Sequence, residues 1–68
     1  MYILTDEPSG SGTLICGAFD ALDQAFGTDP FTRDQAIHAI ANHMEGGTTG
    51  AESLFRDLES RGCITEVD

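Results

Sequence analysis

Sixty-eight residues carry twelve Asp and Glu against three Arg and no Lys, a formal net charge of −9. The acids are scattered and 40% of the residues are hydrophobic, which excludes an acidic disordered tail and leaves one small folded domain. No apolar run approaches the ~18 residues of a membrane helix, and the first residues lack a signal peptide's basic segment, so a cytoplasmic chain with two reduced Cys is expected.

Residues 1–5 are β-prone through Tyr2, Ile3 and Leu4, and the breaker cluster at 6–12 ends that strand in a turn or loop. A first helix is predicted over 13–26. Ile15, Phe19, Leu22 and Phe26 recur at i, i+4, i+7 and i+11 on one stripe, with Asp20, Asp23 and Gln24 off it. Gly17 weakens this helix by about 1 kcal/mol relative to Ala. Gly27 is placed to end it.

Asp29-Pro30 favours a turn, and Thr32 followed by Gln35 forms a capping-box pattern that starts a second helix. Ile37, Ile40, Ala41 and Met44 mark its buried face, and Asp34, His38 and Asn42 its solvated one. Residues 45–48 break it. Thr49 with Glu52 repeats the capping-box pattern, and Ala51, Leu54, Phe55 and Leu58 recur at helical spacing. Arg61 suits a last turn, Gly62 is expected at positive φ just past it, and residues 63–67 alternate as a short strand. The fold class expected is mostly α with a small β sheet: three helices plus short N- and C-terminal strands in one domain.

Without Lys, and with carboxylates in such excess, the composition resembles that of cytoplasmic proteins from salt-accumulating extreme halophiles. At molar salt the Debye length falls to about 3 Å, and self-repulsion between carboxylates largely vanishes.

Phe31-Thr32 opens a helix, Gly46-Gly47 makes a turn, and Leu54-Phe55-Arg56-Asp57-Leu58 is followed by Arg61-Gly62 and then Ile64. This order resembles the helix-turn-helix core of winged-helix domains, over a little more than half of the chain. Leu54 and Leu58 would dock the third helix, Gly62 would reverse the chain, and Ile64 would start the wing strand. The chain departs from that pattern after Asp68, where a second wing strand would follow, and residues 1–4 offer the pairing partner instead.

The resemblance implies a transcription regulator that binds double-stranded DNA, with Thr48, Thr49, Ser53 and Arg56 as DNA-binding residues early in the recognition helix. Arg56 would read guanine, and Thr and Ser would contact phosphate or base edges. A purely local reading competes with this one: Thr49 is a cap, and Arg56 pairs with Glu52 at i, i+4. Glu52, Asp57 and Glu59 also remove the usual basic footprint, although that electrostatic term is weak in molar salt. The alternative function is a homodimeric protein-interaction module without DNA binding, in which a thin core of Phe19, Phe26, Phe31 and Phe55 leaves an apolar patch for a partner.

Other chemistries find little support. His38 and His43 are five apart and point to different helix faces, so no metal is expected, and Asp34 with His38 reads as a surface ion pair. Gly10-Ser11-Gly12 completes no phosphate-binding motif, and Cys16 and Cys63 have no CxxC partner. Neither an enzyme, a cofactor nor a small-molecule ligand is expected.

Overall fold

The computed structural model describes residues 1–8, 13–44 and 46–67. Its elements run in the order β1 (Tyr2–Leu4), α1 (Thr13–Phe26), α2 (Arg33–His43), α3 (Gly47–Ser60) and β2 (Ile64–Glu66). The periodicities and caps foretell this mostly helical, winged-helix-like arrangement. β1 and β2 are antiparallel, with Tyr2 opposite Glu66, Ile3 opposite Thr65 and Leu4 opposite Ile64. The strand at the start of the chain therefore supplies the partner that β2 needs. Three helices separate the two strands, so no hairpin joins them.

Phe31 adds a single bridge on the other side of β1. Its N–H donates to the Tyr2 carbonyl at 2.9 Å, and the Tyr2 N–H donates to the Phe31 carbonyl at 2.7 Å. This contact draws Phe31 fully into the core together with Leu22, Ile40, Phe55, Leu58 and Ile64. The Tyr2 ring meets Phe55 edge-on, 5.1 Å between centroids, and Phe26 stacks on Phe31 at 4.9 Å. The four phenylalanines belong to the core, as the sequence leads one to expect: Phe31 and Phe55 are interior, and Phe19 and Phe26 are half-buried against them. The aromatic rings satisfy one another inside the sheet–helix junction.

α2 starts as the sequence predicts. Thr32 accepts from the Gln35 N–H at 3.1 Å, and the Gln35 side chain accepts from the Thr32 N–H at 2.9 Å. Its buried face is rotated from expectation. Ala36, Ile37 and Ile40 are buried, whereas Ala41 and Met44 are half-buried, because α2 packs on both α1 and α3. The expected Asp34–His38 ion pair is also replaced: His38 Nδ1 lies 2.9 Å from the Asp34 carbonyl oxygen, to which a protonated Nδ1 donates.

α3 begins two residues before the expected Thr49 cap. Gly46 is the N-cap at φ +112° and offers no side-chain bond. A left-handed glycine at this position lets the chain turn into α3 in a conformation that a side chain would resist. Thr49 then lies inside the first turn, so the second capping box does not form. The other end follows the sequence. Gly62 has φ +79°, its N–H donates to the Glu59 carbonyl, and the Cys63 N–H donates to the Leu58 carbonyl at 2.9 Å. These bonds are the two of a Schellman motif. Cys63 and Ile64 are thereby turned into the core.

Gly17 has a role that its low helix propensity hides. A Cβ placed there would sit 3.1 Å from Met44 Cε, so α1 and the end of α2 approach closely at this point. The obstacle is only the tip of a flexible, half-buried side chain. Gly17→Ala is therefore expected to stabilise the fold by a few tenths to about 1 kcal/mol through helix propensity, once Met44 swings aside. Urea midpoints of the two proteins measure this. A lower midpoint for the alanine variant would mean that the Met44 methyl is locked in place.

Candidate nucleic-acid interface

α3 buries Ala51, Phe55 and Leu58, and Leu54 is half-buried beside them. At about 100° per residue, the line opposite that face runs through Thr49, Ser53, Arg56 and Ser60. All four are exposed. The line carries no carboxylate in a chain with twelve of them. Glu52 and Glu59 fall on one flank and Asp57 on the other.

Three of the four DNA-binding candidates thus share one outward line. Thr48 is exposed but turned about 100° from Thr49 towards the Glu52 flank. Sequence reasoning missed Ser60, although its i+11 spacing from Thr49 was there to be read.

The expected Arg56–Glu52 pair does not form. Glu52 instead takes Arg33 across the helix-turn-helix, Nη2 to Oε1 at 3.2 Å, with both side chains about half exposed. The Arg33 guanidinium also lies 6.0 Å from the Phe55 ring centroid. The carboxylate four residues before Arg56 is in this way drawn to another cation. Among the described residues no hydrogen bond or ion pair holds Arg56. The first turn of α3 is also open: Gly46, Gly47, Thr48 and Thr49 are exposed, and the N-cap has no side chain to occupy the free N–H groups.

The remaining candidates for chemistry stay apart. Among the described residues no group of three His, Cys, Asp or Glu is placed to hold a metal ion. Cys16 is half-buried and Cys63 buried, both as free thiols. Burial, and then the nearby Asp6 charge, push the Cys63 thiol above its usual range, so it stays protonated and unreactive. The Gly10-Ser11-Gly12 segment lies outside the described residues. Among the described residues no helix is long and apolar enough to cross a membrane. α1 and α2 enclose an open cleft of about 640 Å³ with Ala21, Ala25, Phe26 and Ala39 among its lining.

No family model, curated protein or solved structure matches the chain.

Proposed function

We propose that the protein is a small DNA-binding regulator that lays α3 in the major groove of duplex DNA. The observation that carries this reading is the acid-free outer line Thr49, Ser53, Arg56 and Ser60 on an otherwise acidic molecule. Arg56 is free to make a bidentate contact to guanine O6 and N7. Thr49, Ser53 and Ser60 supply hydroxyls to base edges or phosphate. The open N–H groups at the start of α3, at the positive end of its dipole, suit a phosphate oxygen.

The electrostatics set the affinity regime. With Arg33 on Glu52 and Arg56 on a base, at most one of the three Arg is left for phosphate, so the slope of log K against log salt should be shallow, about −1. Such a protein loses little affinity in the molar salt in which its own carboxylates repel least. Fluorescence anisotropy with random duplex DNA in molar KCl tests the proposal. Wild type should bind, Arg56→Ala should weaken binding about 5- to 150-fold, the worth of one base contact, and Arg56→Glu should abolish it. Asp34→Asn, on the solvated face of α2, should change nothing. No retention by wild type, or equal retention by wild type and Arg56→Glu, would defeat the reading and leave a protein-interaction role without DNA.

A further inference from the structure

We propose that Arg33 is a positioning residue for the DNA contact: it holds Glu52 against the start of α2 and so keeps the Arg56 guanidinium free for guanine. The inference rests on the DNA reading of α3 and adds to it a residue that does not touch the duplex. Glu52 lies four residues before Arg56, the spacing and order in which a carboxylate and a cation meet on a helix surface. About 40° of arc separates the two. An arginine bent back to Glu52 lies along the helix and no longer reaches out to a base edge.

In the structure that carboxylate is taken from elsewhere. Arg33, the first residue of α2, brings Nη2 to 3.2 Å from Glu52 Oε1. Two exposed ion pairs of similar worth would share Glu52 between Arg33 and Arg56. The Phe55 ring tips the choice. Its centroid lies 6.0 Å from the Arg33 guanidinium, and the ring itself is buried, so it offers a fixed seat. A cation over an exposed ring edge gains about 2- to 5-fold in population. Tyr2 marks the same place. Burial, and then the Glu59 and Glu66 charges, push its hydroxyl above the usual range, and Arg33 opposes them. Arg33 therefore faces the flank of α3 that carries both Glu52 and Glu59, the carboxylates four before and three after Arg56.

A mutant cycle tests this with random duplex DNA, in the lowest KCl concentration at which circular dichroism shows the fold intact. Arg33→Met keeps an apolar stem over Phe55 and removes the charge. It should weaken binding about 2- to 5-fold, the worth of one exposed ion pair. Added to Glu52→Gln, the same change should do nothing, because no carboxylate is left to capture Arg56. A loss of equal size with and without Glu52→Gln overturns the proposal, since it would mean that Arg33 contacts phosphate itself or only supports the fold. The second readout needs no DNA. The Arg56 Nε–Hε signal in NMR should shift and exchange more slowly in Arg33→Met, and return to the wild-type position when Glu52→Gln is added. An Arg56 signal indifferent to Arg33→Met overturns the proposal even where the duplex binds. If wild type retains no DNA, the reading of α3 falls, and the Arg56 signal still decides whether Arg33 frees that guanidinium.

Discussion

Replacing Phe55 with alanine should remove most of the stability of this fold. Phe55 is 2% exposed at the centre of α3's buried face. Phe→Ala in a core costs about 3–5 kcal/mol through lost transfer energy and the cavity left behind. The edge-on contact with Tyr2, worth about 0.5–1.5 kcal/mol beyond burial, is lost as well. The Arg33 guanidinium over the ring adds about 0.5–1 kcal/mol at an exposed site. A 68-residue domain holds about 3–10 kcal/mol in all. Thermal and urea unfolding should therefore show Phe55→Ala partly unfolded already in molar salt, with β1 released because Tyr2 loses its anchor. Asp57→Ala, exposed two residues on, should unfold like wild type. Equal midpoints for the two variants would put the wrong face of α3 in the core.

Stability should climb steeply with salt. Two unit charges about 15 Å apart in water interact by roughly 0.3 kcal/mol. Nine excess negative charges make about 36 pairs, so unscreened repulsion is of order 10 kcal/mol, comparable to the stability itself. The molecule confines these charges within 29 × 25 × 19 Å. In dilute buffer, with a Debye length of about 30 Å, most of that repulsion survives, and at about 1 M salt it is screened away. The Arg33–Glu52 pair runs the other way, since salt weakens it, but a half-exposed pair is worth at most about 1 kcal/mol. Repulsion wins, so circular dichroism should show a partly unfolded chain in dilute buffer and rising helicity and melting temperature up to molar KCl. A melting temperature flat across that series would rule out charge repulsion as the controlling term.

The sequence by itself determined whatever depends on near neighbours. Thr32 with Gln35 caps α2 because both bonds close within four residues. Gly62 ends α3 because its φ, and the two carbonyls that its turn satisfies, are local. The helices, the strands and the outer spacing of Thr49, Ser53 and Arg56 follow from periods of 3.6 and 2, which a single chain displays before it folds. Tertiary structure decided what depends on a third body. Ala36 is buried because α2 meets two helices at once, whereas the stripe of Ile37, Ile40, Ala41 and Met44 points to a single face. Phe31 is interior because one bridge to Tyr2 draws it in, and a single residue has no period. Glu52 pairs with Arg33 across nineteen positions in place of Arg56 at four, and among the described residues Arg56 is left without a hydrogen bond or ion pair. Spacing along one helix ranks neighbours on that helix only. The carboxylate's choice between two cations was fixed by the packing of α2 against α3, which no local pattern encodes.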